Sequence, residues 1–181
     1  MNALIIGPRR IGKTTLLRRV VAELGCPVVG YATKKEEALY DPIKGNPIYL
    51  YPVQAISGRP EDRVSDPEHL VGWCLDQKPE SLPEAFNRFA PQLLEPRPDG
   101  GLVVFDEVGF MEAKAEAFAD AIFKRLDGPD PVLAAVKSKG GHEFLERVRK
   151  HPDSHCFYIT EDNRDALVRE VVDFLRPQLE L

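Results

Sequence analysis

Apolar and polar positions alternate along this 181-residue chain in two distinct rhythms, short unbroken apolar runs and longer stretches of helical period. Residues 3–7 form a short β-rich run. Lys13–Leu24 follows, with Leu16, Leu17, Val20, Val21 and Leu24 on one helical face, and Gly25 just past its end supplies the left-handed stop that helices favour. Residues 27–32 predict a second strand. Pro42, Gly45 and Pro47 then punctuate two β-rich pieces, 38–40 and 48–53, which predict a hairpin-like excursion. Residues 59–80, rich in Pro, Asp and Glu, show little periodicity. Ser81-Leu82-Pro83-Glu84 has the composition of a helix start with Ser as cap, and that helix is expected to run to about Leu94. The continuous apolar run 102–105 ends in Asp106-Glu107. A helix at 112–126, a strand at 131–136, a helix at 143–150, a strand at 156–160 and a closing helix at 163–176 complete the order. Strands buried on both faces read as unbroken apolar runs, and their alternation with helices predicts an α/β fold of three layers with a mostly parallel central sheet.

Composition narrows the classes of function. The length predicts one domain over residues 1–181, with residues 37–80 inserted between the second strand and the second half of the site. A net charge of −5 gives no general electrostatic reason to bind nucleic acid or an anionic membrane. Cys26, Cys74 and Cys156 are odd in number and far apart, so no disulfide framework or CxxC metal site is expected and a reducing cytoplasm fits. The early apolar run lacks the basic segment of a signal peptide and meets charge at Arg9, and no stretch approaches the roughly 20 apolar residues of a membrane span.

The chemistry begins at Gly7. Gly7-Pro8-Arg9-Arg10-Ile11-Gly12-Lys13-Thr14 matches the pattern G-x-x-x-x-G-K-[ST] in full. Glycines let the backbone curl so that successive N–H groups face one concavity, and the helix that follows offers free N–H groups and its positive end to the same anion. Lys13 places a point charge on the β- and γ-phosphates, the Thr14 hydroxyl ligates Mg²⁺, and Thr15 belongs to the same phosphate-binding run. The match lies between an apolar strand and an amphipathic helix, the context this mechanism requires. A second half is expected on a neighbouring strand. Asp106 ends the 102–105 run, placed to hold Mg²⁺ through water, and Glu107 is placed to polarise a water attacking the γ-phosphate. Alone, an apolar run ending in Asp-Glu is often only a strand meeting solvent. Paired with the loop, it reads as the catalytic half.

With those residues in place, the chain resembles the THEP1-type nucleoside-triphosphatases, a P-loop NTPase family of bacteria, archaea and eukaryotes. The resemblance covers nearly the whole chain. It rests on the phosphate loop, on Gly30-Tyr31-Ala32-Thr33 after the second strand, on Asp106-Glu107-Val108-Gly109-Phe110-Met111-Glu112, and on Asn163-Arg164-Asp165 after the last strand. The family pattern near D-E-I-G-x-M-E differs here only by Val108. The resemblance implies an Mg²⁺-dependent hydrolase of ATP, GTP and other nucleoside triphosphates with loose base selectivity. It carries over Lys13, Thr14, Asp106 and Glu107, and it implies that Asn163 and Arg164 line the base or phosphate side of the pocket. Two departures stand out. Pro8-Arg9-Arg10-Ile11 fills a loop that is usually built of small residues, and Arg9 or Arg10 either reaches the γ-phosphate or points to solvent. Residues 37–80 show little that aligns.

Other candidates carry two readings each. Arg164 is a nucleotide contact or a charge partner at the start of the closing helix. Lys137 and Lys139 form a basic loop that closes over nucleotide, or a solvated turn. His151, His155 and Cys156 have a spacing that suggests a metal, but lack a fourth ligand nearby. Trp73, Phe86 and Phe89 read as core, and Tyr31 either packs with the excursion or stacks on a base. Three functions compete: a hydrolase, a kinase whose small acceptor binds residues 37–80, and a nucleotide-gated binding module with slow hydrolysis. Partner proteins are left open.

Overall fold

A computed structural model of the chain describes residues 1–53, 65–140 and 142–179. Part of the unreadable 59–80 stretch and Gly141 of the basic loop therefore lie outside the described residues. Among the described residues eight strands form one sheet: β1 (Asn2–Gly7), β2 (Val28–Lys35), β3 (Asn46–Pro52), β4 (Leu70–Leu75), β5 (Lys78–Ser81), β6 (Leu102–Val108), β7 (Val132–Lys137) and β8 (Ser154–Tyr158). Their order across the sheet is β5-β4-β3-β2-β6-β7-β1-β8. From β2 to β8 every neighbouring pair is parallel, and from β2 to β5 every pair is antiparallel.

Among the described residues six α-helices cover it: α1 (Lys13–Leu24), α2 (Pro83–Arg88), α3 (Ala90–Leu93), α4 (Glu116–Asp127), α5 (Glu143–Arg149) and α6 (Arg164–Leu175). The two faces of the central strands enter different cores. Leu4 and Ile6 join Val103, Phe105 and the buried residues of α2 to α5 on one face. Ala3 and Ile5 join Leu102, Val104 and the buried residues of α1 and α6 on the other. That division is why the central strands read as unbroken apolar runs, and it makes the fold a three-layer α/β sandwich. Gly30 shows how closely β2 and β6 approach. Its φ is 130°, and a Cβ there would stand 2.0 Å from the Val104 carbonyl oxygen.

Several boundaries differ from the expectation, each for a physical reason. Helix α1 runs over Lys13–Leu24 as expected, and its C-cap Gly25 is left-handed at φ 64°. The expected helix from Ser81 to Leu94 is two helices. Pro91 has no N–H for the carbonyl a turn earlier, so the chain breaks at Phe89. Ser81 is not its cap: Ser81 pairs with Gly72 in the sheet, and Leu82 takes the N-cap position without a side-chain bond. Residues 38–40 form no strand. Strands β2 and β3 are themselves the hairpin, closed by a turn in which Asp41 Oδ1 accepts the N–H groups of Ile43 and Lys44 at 2.8 and 2.9 Å. Strands β4 and β5 fall in the stretch that showed no periodicity. Strand β8 starts two residues before the expected Cys156, because His155 pairs with Ala3 in the ladder.

Candidate active site

The phosphate loop runs from the end of β1 into α1. Gly12 has φ 107°, a left-handed conformation that turns the chain into the helix, and as the N-cap residue it offers the first turn of α1 no side-chain cap. The free N–H groups of that turn therefore face the concavity with the positive end of the helix. Arg10 is also left-handed, at φ 63°. Pro8, Arg9 and Arg10 are exposed, and Ile11 is half-buried. Arg9 and Arg10 stand at the rim, where, after Lys35, their charges help hold the Glu37 carboxyl below its usual range.

Lys13 is buried, only 4% exposed. Its ammonium donates to the carbonyls of Gly7 at 3.0 Å and Pro8 at 2.7 Å, and lies 3.6 Å from Glu107 Oε2. Burial pushes its pKa down, and the Glu107 and Asp106 carboxylates work against that shift. On the neighbouring strand β6, Asp106 Oδ1 accepts the Thr14 hydroxyl at 3.0 Å. Burial pushes the Asp106 carboxyl up to about 6, against that hydrogen bond and the charges of Arg18 and Lys13. Glu107 is half-buried, with Lys13 on one carboxylate oxygen and Lys137, at 3.6 Å, on the other. Sheet order explains the convergence. Strand β7 lies between β1 and β6, so Lys137 sits opposite Gly7 in register.

Thr14 and Asp106 offer oxygens only, the donor set of a hard cation, and their direct hydrogen bond sets the two oxygens side by side. A cluster of three or more His, Cys, Asp or Glu side chains able to hold a metal does not occur among the described residues. Metal at this place would thus draw its other ligands from phosphate and water, as Mg²⁺ commonly does. Arg18, one helical turn beyond Thr14, shares a cavity of about 190 Å³ with Thr14, Thr33, Lys34, Tyr51 and Asp106. Its Nε is buried without a hydrogen-bond partner among the described residues.

On the opposite side of the loop, Gly12, Thr15, Leu16, Arg19, Arg164 and Asp165 line a cavity of about 260 Å³. Arg164 reaches the loop: its Nη1 stands 3.9 Å from where a Gly12 Cβ would be. Asn163 is engaged in its own turn. Its Oδ1 accepts the Thr160 N–H at 2.7 Å, and its Nδ2 donates to the Tyr158 carbonyl at 2.8 Å. The structure thus brings Arg164 to the phosphate loop and spends Asn163 on holding the turn that aims it.

One residue beneath the site, Glu112, had no assigned role in the sequence. Glu112 is 2% exposed. Its Oε2 accepts the Gly109 N–H at 3.0 Å, and its Oε1 lies 3.5 Å from the Tyr31 hydroxyl. Burial pushes its carboxyl up to about 8, although its own N–H and that of Gly109 pull the other way. Tyr31 packs between Phe105 and Phe118, at ring-centroid distances of 5.2 and 4.9 Å, so it is core and does not stack on a base. A short signal existed: Glu112 lies six residues beyond Asp106, at the end of the same motif. His151 contacts Asp127 at 2.8 Å and His155 packs on Phe157 and Phe174, which leaves the histidine spacing structural.

Comparison with known proteins places the chain among nucleotide hydrolases. A family model described as NTPase matches residues 2–172. The nucleoside-triphosphatase THEP1 of Natranaerobius thermophilus is 29% identical over 191 residues, covering 98% of each chain. The cancer-related nucleoside-triphosphatase homolog of Mus musculus is 25% identical, covering 94% of each. Among solved structures, THEP1 from Aquifex aeolicus aligns with a TM-score of 0.71 at 20% identity, over 97% of this chain and 99% of that one. A human cancer-related nucleoside triphosphatase aligns with a TM-score of 0.66 at 22% identity, over 97% of both. At these identities the structural likeness carries the fold.

Proposed function

The chain belongs to the NTPase family, and on that premise we propose that it hydrolyses nucleoside triphosphates, ATP and GTP among them, to the diphosphate and phosphate with Mg²⁺ bound. The observation that carries this reading is the Glu107 carboxylate set beside Lys13, with the Thr14–Asp106 pair next to it. The loop N–H groups, Lys13 and Thr15 hold the phosphates. Glu107 orients a water and accepts its proton as the water oxygen bonds to the γ-phosphorus. The bond from that phosphorus to the β–γ bridging oxygen breaks, and the diphosphate leaves with its electron pair. Thr14 and Asp106 would hold Mg²⁺, which when bound neutralises developing phosphate charge. Arg164 lies on the α-phosphate or base side. Loose base selectivity is part of the same reading.

The same reading takes residues 1–181 as one domain, with residues 37–80 as an elaboration of its sheet. No helix among the described residues is long and apolar enough to cross a membrane, and a cytoplasmic location agrees with the cysteine usage. A kinase acting through residues 37–80 fits less well. Among the described residues, the larger cavity formed there, about 560 Å³ between Ile43, Lys44, Trp73 and Leu82, is centred on β4. Three strand spacings separate β4 from β6, roughly 14 Å, too far for an acceptor bound in that cavity to be in line with the γ-phosphate.

The test is phosphate release from Mg²⁺-ATP and Mg²⁺-GTP by the parent, the parent with EDTA, and Lys13→Ala. Release from both nucleotides that EDTA and Lys13→Ala each abolish is the expected result. Tight triphosphate binding without phosphate release in the parent contradicts the hydrolase.

A further inference from the structure

We propose that Lys137 is a positioning residue for hydrolysis: it holds Glu107 by its second carboxylate oxygen, so that the base stays aimed while Lys13 serves the phosphates. This deepens the hydrolase reading and rests on it.

Glu107 lies between two cations, Lys13 at 3.6 Å from Oε2 and Lys137 at 3.6 Å from Oε1. At that separation both contacts are ion pairs rather than hydrogen bonds. The two lysines differ in what else they do. Lys13 already donates to the carbonyls of Gly7 and Pro8, and an ammonium has three N–H groups. A phosphate gripped by Lys13 therefore competes directly with Glu107. That phosphate also brings negative charge towards the carboxylate, which then needs another cation to stay in place. Lys137 has no place in the loop and is free for that task.

The surroundings of Lys137 are built to fix it. It ends β7 in register with Gly7, on the strand between the two halves of the site. Its ammonium lies 4.8 Å from the centre of the Phe110 ring. Arg149 donates to the Lys137 carbonyl at 2.8 Å and to the Gly140 carbonyl at 3.1 Å, which ties down the chain that follows. On the other side, Glu112 holds the Gly109 N–H, and a Cβ on Gly109 would stand 3.5 Å from the Lys137 ammonium. An exposed ion pair of ordinary kind has no such framework and contributes little. Lys137 is 30% exposed and braced from both flanks.

The experiment compares kcat, nucleotide affinity and thermal unfolding for the parent, Lys137→Met, Lys137→Arg, Glu107→Gln and the double variant Glu107→Gln/Lys137→Met. Lys137→Met is expected to lower kcat about 10- to 100-fold. Its affinity for Mg²⁺-ATP should stay within about two-fold of the parent, and Lys137→Arg should recover most of the rate. Added to Glu107→Gln, Lys137→Met should change kcat no further, because residues that act as a unit are not additive. Lys137→Gln gives the same readout should the Met variant be unstable. A further loss in the double variant equal to that in the parent overturns the proposal. So does a fall in affinity that accounts for the whole effect, since Lys137 would then be a nucleotide ligand. If Glu107→Gln alone turns over like the parent, Glu107 is not the base, and the proposal falls with that assignment rather than with the placing of Lys137.

Discussion

The parallel half of the sheet and its antiparallel extension are built from the same ladder but buried differently. Strands β1, β6 and β7 are covered on both faces, and nearly every residue in them is buried. Their carboxyl ends deliver Gly7, Asp106, Glu107 and Lys137 to one place. Strands β3 to β5 carry shorter apolar runs, and around them, among the described residues, lie four exposed large apolar residues, Leu39, Tyr40, Ile43 and Leu82. Rigid packing on two sides is what a site with close ionic contacts needs, because the groups that position charge must themselves be held. The extension adds area to the sheet without adding a charged group that touches Glu107 among the described contacts. The charged groups of the site all stand at the half of the sheet that is packed on both faces.

The widest separation between the two regions should be in stability. Phe105, fully buried under the site, is expected to cost about 3–5 kcal/mol on substitution to Ala. Ile43, 82% exposed in the extension, should cost within about 0.5 kcal/mol on the same change. Denaturant unfolding of the two variants measures both, and equal losses would erase the distinction.

A smaller, pH-dependent effect sharpens it from within the parallel half. The Glu112 carboxyl is pushed up to about 8 in the folded protein, from an ordinary value of 4.5. The folded state therefore binds this proton more tightly than the unfolded one. Its contribution is fully present below pH 4.5 and is lost as pH rises through 8. Glu112→Gln keeps an acceptor for Gly109 and a partner for Tyr31 without ionising. The variant should match the parent near pH 4.5 and exceed it at pH 9 by an amount on the order of a few kcal/mol. Thermal unfolding at the two pH values checks this, and a gap that does not depend on pH would mean that Glu112 is not buried as a neutral acid.

What the sequence disclosed follows the same division. The phosphate loop, helix α1 with Gly25, and the Asp106-Glu107 strand end were legible because each is a local pattern with a local cause. Strands β4 and β5 were not. Gly72 within β4 and the Lys78-Pro79-Glu80-Ser81 sequence of β5 break the apolar rhythm, and both strands depend on the sheet beside them. The break at Phe89 was foreshadowed by Pro91, but the composition around Ser81 suggested a cap that the sheet had already claimed. Lys137 was visible as a basic residue at a strand end, while its pairing with Glu107 depends on β7 lying between β1 and β6, which no local pattern specifies. Asn163 and Arg164 are adjacent in sequence, yet one holds the turn and the other reaches Gly12.

Whether Glu107 is the base is tested by measuring Mg²⁺-ATP binding and phosphate release side by side in Glu107→Gln. The variant should keep affinity close to that of the parent with turnover lowered about 10²- to 10⁴-fold, the range for loss of a general base. Turnover equal to the parent's would contradict it, because the carboxylate between Lys13 and Lys137 would then have no part in the chemistry.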